Sequence, residues 1–189
     1  MKKIILLVLC SFLISTLLFS QNNYTFDKNH ARLSFSVIHL GISNVEGIFK
    51  TFDVKFVTKK EDFTDARIEM TADVKSINTD IEMRDNDLRD SWFDVAKYPI
   101  LSFKSTSFKK IKGNRYQLKG NITIHGVTKP ITFDVIYNGK VQNPSSKKYL
   151  CGFTITGKLN RNDFGVGKEL IQFVSNEVEV KSNVEFIID

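Results

Sequence analysis

From Tyr24 onward, apolar side chains recur at every second position, and that property limits what the chain can become. Ala66, Ile68, Met70, Ala72 and Val74 alternate with Arg67, Glu69, Thr71, Asp73 and Lys75. Val178, Val180, Val184, Phe186 and Ile188 alternate with Glu177, Glu179, Lys181, Asn183 and Glu185. A period of two belongs to a strand, whose side chains point to opposite faces in turn, so each run has one apolar and one wet face. Similar runs cover 33–39, 45–57, 100–108, 116–124, 131–137 and 149–159. In 45–57, Ile48, Phe52, Val54 and Phe56 fall in step, so Phe49 faces inward only if a bulge at Gly47 shifts the phase. Polar turns are expected at 59–62, at Gly113-Asn114, over 126–130 and over 138–148. The sum is roughly eight antiparallel strands. One closed sheet with an apolar interior buries every apolar face and leaves no edge, and a two-sheet sandwich buries them as well.

The alternation fails once, over 76–106. Thr79 and Glu82 have capping-box spacing. Asp80 with Arg84, and Asp85 with Arg89, are i,i+4 pairs. Ile81, Leu88 and Trp92 fall near one face, and Pro99 forbids continuation. The spacing predicts one short helix, about 79–92, laid across the end or side of the sheet. Its charges form a solvated face paired within the helix, with Arg84 on Asp80 and Arg89 on Asp85.

Residues 1–20 read as a cleaved signal peptide. Lys2 and Lys3 precede an almost wholly apolar 4–19, and Ser20 precedes Gln21. That places a single domain, 21–189, in the periplasm or outside the cell. No second apolar stretch is long enough to span a bilayer. Loss of the leader removes Lys2, Lys3 and Cys10, so the formal charge falls from +6 to +4 and Cys151 is left as the one cysteine. One cysteine makes no internal disulfide. Tyr149, Cys151, Phe153 and Ile155 alternate together, so Cys151 is expected to be a buried, inert thiol. The basic excess sits at expected turns (Lys59, Lys60, Lys109, Lys110, Lys112, Lys147, Lys148), whereas nucleic-acid binding needs it on one face.

The catalytic inventory is thin. His30, His39 and His125 lack metal-ligand spacing, and there is no nucleophile elbow, phosphate loop or dinucleotide fingerprint. Asp85, Asp87, Asp90 and Asp94 are interleaved with Arg84 and Arg89 and lack the spacing of a calcium loop. The chain therefore presents no catalytic residue, metal ligand or cofactor motif, and is not expected to be an enzyme. Sixteen phenylalanines, most of them in the alternations, make the interior smooth and apolar. It is either a filled core, as in a ligand-free interaction module, or a space for a long apolar ligand. Such a ligand is held by area, roughly 0.8 kcal/mol per buried CH₂ and on the order of 4 kcal/mol per five-carbon unit. A third class is a small lipid hydrolase or isomerase that uses a histidine with Asp27.

Several segments, in order, resemble the YceI-like proteins across nearly all of 21–189. They are Asp27-x-x-His30, the Phe35–Gly41 and Val45–Phe49 segments, and Ser76-Ile-Asn-Thr79. Arg84-Asp85, Asp87-Leu-Arg89, Trp92-Phe-Asp94 and Tyr98-Pro99 follow, then Gly120-Asn-Ile-Thr-Ile-His-Gly-Val-Thr-Lys-Pro130 and Arg161-Asn-Asp-Phe-Gly165. Ala31 departs from the serine that often follows the histidine, and Trp92 takes a place where another bulky or charged residue is common. The resemblance implies an exported, lipocalin-like barrel that holds a polyisoprenoid, such as a quinone or its precursor, or another amphiphilic lipid, without catalysing a reaction. By position it implies a lining of Phe35, Val37, Phe49, Met70, Ala72, Phe103, Ile122, Phe133, Phe153 and Ile155. Leu88 and Trp92 of the helix are expected to cover an opening. Such a protein is compatible with transient membrane contact and with a homodimer.

Overall fold

The computed structural model describes residues 24–168 and 172–188; the signal peptide expected at 1–20 lies outside the described residues. In chain order the elements are β1 (Tyr24–His39), β2 (Ser43–Phe49), β3 (Phe52–Val57), β4 (Arg67–Asp73), β5 (Ile77–Asn78), α1 (Glu82–Asp87), β6 (Ile100–Lys112), β7 (Arg115–Ile124), β8 (Val127–Gln142), β9 (Tyr149–Asn160) and β10 (Glu177–Ile188). Strand pairing runs β10-β9-β8-β7-β6-β4-β3-β1, and β1 returns to β10, so eight strands close an antiparallel barrel. β2 pairs with the second half of β1, and β3 touches its start at Tyr24–Phe56, so together they act as one interrupted strand.

That interruption explains a phase the sequence left ambiguous. Val45, Gly47 and Phe49 face inward, then Val54 and Phe56. The switch from odd to even positions falls at Lys50–Thr51, where the backbone bends, and not at a bulge on Gly47. Gly47 serves the packing instead. A Cβ there would collide with the Phe35 ring, and one at Gly120 with the Phe103 ring. Each glycine is a socket for a neighbouring aromatic.

Two turns are shorter than expected. His125 and Gly126 alone turn the chain, with φ of 51° and 74°, as two-residue hairpins favour. β8 therefore begins at Val127 and holds Pro130 opposite Asn121. It also runs on to Gln142, into the expected loop.

One end of the barrel is closed by aromatic packing. Phe63 follows the polar turn after β3, adopts φ 61° and is 4% exposed. Its ring centroid lies 5.1 Å from Tyr137, 5.4 Å from Phe153 and 5.8 Å from Phe56. Asp65 fixes this loop by accepting from the Thr58 hydroxyl at 2.6 Å and from the Lys59 N–H at 3.1 Å.

The helix forms, but its first turn differs from the expectation. α1 starts at Glu82 without a side-chain cap, so Thr79 and Glu82 make no capping box. Past Asp87 the chain widens into a π-helical turn, Leu88–Trp92, with Phe93 N–H donating to Leu88 C=O. Arg84 does not pair with Asp80; its Nε and Nη2 donate to the Thr79 hydroxyl and carbonyl at 2.7 and 2.8 Å. Asp85 is 3% exposed and accepts from the Thr79 N–H and hydroxyl at 2.8 and 2.6 Å. Arg89 keeps the expected pair with Asp85, at 4.0 Å, and also donates to the carbonyls of Lys75 and Ile77. These charges bolt the helix to the chain before it and do not form a solvated face. Backbone and hydroxyl donors take the place of the water that burial removes from the Asp85 carboxylate.

Candidate ligand-binding cavity

The barrel encloses a cavity of about 430 Å³. Its wall gathers inward-facing residues from every part of the ring: Phe35 and Val37 of β1, Phe49 of β2 and Met70 of β4. Phe103 of β6, Ile122 of β7, Phe133 of β8, and Phe153 and Ile155 of β9 continue it. Leu88 and Trp92 from the helical segment complete the lining, across the barrel from the Phe63 end. Ala72, expected in this wall, is buried in the core but does not reach the cavity. Its methyl is too short, and Leu101, its register partner on β6, occupies the wall there.

Polar lining residues are few, and they include Ser34 of β1 and Ser182 of β10. Thr79, Arg84 and the exposed Asp87 border the cavity on the helical side, and His39 borders it at the end of β1. The Arg84 head is already engaged by Thr79, so the guanidinium is held in place at the cavity's helical border.

Trp92 has a seat the sequence did not reveal. Its ring lies against Gly167, where a Cβ would overlap it, and the Arg161 guanidinium is 5.3 Å from its ring centroid. Arg161 is 3% exposed. Its Nε donates to Ser175 C=O, Nη1 to the carbonyls of Val166 and Gly167, and Nη2 to Val174 C=O. Burial pulls its pKa down from the usual arginine value, yet a guanidinium remains charged at any physiological pH. One side chain thus ties together the 3₁₀ turn Arg161–Phe164, the glycines after it and the approach to β10. The motif Arg161–Gly165 was visible in sequence, but a carbonyl cage has no residue-type signature.

The histidines do not converge. His39 borders the cavity. His125 Nδ1 is 3.2 Å from Phe164 C=O, and its ring is edge-on to Tyr98 at 4.4 Å. His30 stands on the outer surface, with Nδ1 2.9 Å from Asp27 Oδ2. Asp27, which the hydrolase reading pairs with a histidine, stands outside the cavity together with His30, whereas His39 borders it.

The YceI-like domain family matches residues 24–186. The chain belongs to this family. Protein YceI of Salmonella arizonae is 35% identical over 185 residues, which cover 94% of this chain and 95% of that protein. Among solved structures, the fold of this YceI-like chain is similar to Burkholderia cenocepacia BcnA, with TM-score 0.75 and 25% identity over 85% of this chain and 98% of the other. It is also similar to Campylobacter jejuni YceI, with TM-score 0.70 and 30% identity over 79% and 88% of the two chains. A polyisoprenoid binding domain from Saccharophagus degradans shares the fold at TM-score 0.64 and 15% identity, covering 89% of this YceI-like chain and all of that one.

Proposed function

We propose that this YceI-like protein is an exported binding protein that sequesters or carries an isoprenoid, such as a quinone or its precursor, or a similar amphiphilic lipid, and does no chemistry on it. The observation that carries this reading is the cavity itself, lined mostly by apolar strand residues, with a cluster of polar groups at Thr79, Arg84 and Asp87 on its helical side. A prenyl tail has no hydrogen-bonding groups, so it is held by apolar area in a site already formed. The tail lies toward Phe63 and the polar end toward Arg84. A Saccharophagus degradans relative in fold is described as a polyisoprenoid binding domain, which agrees with a tail of this kind.

The same end of the molecule suits brief contact with a bilayer. Leu40 is 52% exposed, Ile42 84% and Phe173 50%, and the Leu40 N–H donates to Phe173 C=O at 2.8 Å. Exposed apolar groups beside an opening can enter the headgroup region, so a tail crosses without meeting water. The signal peptide read at 1–20 supplies the route out of the cytoplasm.

The test is organic extraction of protein recovered from the periplasm or medium, followed by mass spectrometry, with native mass spectrometry of the intact protein. A prenyl lipid in the extract and a matching mass on the protein are expected. An empty protein that also fails to take up added prenyl chains would overturn the proposal.

A further inference from the structure

Outside the cavity, β1 and β10 form the seam that closes the barrel, and Asp27 stands directly opposite Glu185 across it. Two carboxylates in facing positions on one sheet surface repel. The strand pairing breaks at this point. Residues 28–31 of β1 are set against Val184 alone before the ladder resumes at Arg32 and Asn183. This bulge turns His30 back toward the carboxylates. Its Nδ1 is 2.9 Å from Asp27 Oδ2, and ligand atoms of Asp27, His30 and Glu185 all lie within 4.8 Å of one another. Lys28, carried on the same bulge, pairs with Asp53 at 3.1 Å instead of with these carboxylates. Asp27 is the fixed member: its side chain is 15% exposed, and its Oδ1 accepts from the Asn29 N–H at 3.0 Å.

We propose that Asp27, His30 and Glu185 form a site for a first-row divalent cation, with zinc the best match. One imidazole nitrogen and two carboxylate oxygens are a donor set that zinc takes, with water completing four-coordination. Ligand distances near 2.0–2.2 Å require the three groups to close slightly, which the flexible Glu185 side chain allows. The Asn29 N–H on the second oxygen of Asp27 orients that carboxylate as an outer-shell partner. A cation here replaces repulsion across the seam with a bridge between β1 and β10. Because the three ligands come together only in the folded barrel, the cation stabilises that state. The site is separate from the cavity, so it stands or falls independently of the lipid reading.

The experiment uses the untagged mature chain, stripped with a chelator, and titrates zinc chloride by calorimetry alongside thermal melts. The expected result is one saturable equivalent and a higher melting temperature with zinc. His30→Ala and Glu185→Gln should each weaken zinc binding roughly tenfold or more and remove the thermal gain, while His39→Ala and His125→Ala keep both. Glu185→Gln preserves side-chain shape and serves if His30→Ala misfolds. No saturable uptake up to roughly 100 μM zinc, or uptake that persists in both His30→Ala and Glu185→Gln, overturns the proposal.

Discussion

The thiol of Cys151 is 2% exposed and sits on β9 opposite Phe186, and burial pushes its pKa up to about 12. Only the thiolate attacks electrophiles. The folded protein should therefore resist iodoacetamide at about pH 8 and become alkylated once unfolded in guanidinium. Mass spectrometry of the two reactions checks this, and rapid native labelling would show that the wall at Cys151 opens. At this scale the alternation was a good guide, because burial follows directly from period. It was a poor guide to Arg161 and Phe63. Arg161 is a charged residue whose partners are carbonyls of distant segments, and Phe63 is a loop residue that reaches the core through a positive φ. Neither fact leaves a mark in local sequence.

The helical segment is fixed by contacts made before its first turn. Asp85 takes both the N–H and the hydroxyl of Thr79, and Arg84 takes the Thr79 hydroxyl and carbonyl. Removing the carboxylate leaves a buried N–H and hydroxyl without their acceptor, at about 1–3 kcal/mol each. Asp85→Ala should lower stability by about 2–4 kcal/mol in urea melts. It should also loosen Leu88 and Trp92, seen as faster amide exchange over 82–92. A loss below ~0.5 kcal/mol would return Asp85 to the role of a surface charge. The sequence signalled that a helix interrupts the strands and where it ends. It gave the Asp85–Arg89 pair but misassigned Arg84, because i,i+4 spacing shows which groups can meet on an isolated helix and not what the preceding Thr79 offers them. The phase of β2 was hidden for a similar reason. A break at Lys50–Thr51 carries no glycine or proline, and Gly47 drew the assignment to itself although its part is to house Phe35.

For the whole molecule, the ring of strands was legible because every alternation agrees with one closed sheet. The pattern could not separate a filled core from a cavity. Void volume depends on how far each side chain reaches, as Ala72 and Leu101 show. Added bulk is therefore the useful probe at this scale. Ile155 is half-buried on the wall. Ile155→Trp should displace the equivalent of about two CH₂ groups, ~1.6 kcal/mol, and lower affinity for a long prenyl chain about tenfold. Stability should change little, because the ring enters space rather than packed neighbours. Fluorescence titration with a prenyl ligand and a parallel urea melt check both parts, and unchanged affinity would move the tail away from β9.

The pairing of β1 with β10 also sets an order of events in time. These are the first and last strands described, so no part of the chain short of β10 can enclose anything. Until that strand arrives, the growing chain is an open sheet with two unpaired edges and a bare aromatic face, the kind of surface that sticks to itself. The contact that completes the wall spans nearly the whole described length, and such closures are slow. An occupant cannot be sealed in while the chain is being made. It must either be present at the moment of closure, and so share in the folding of the protein, or come later through a wall that is already complete.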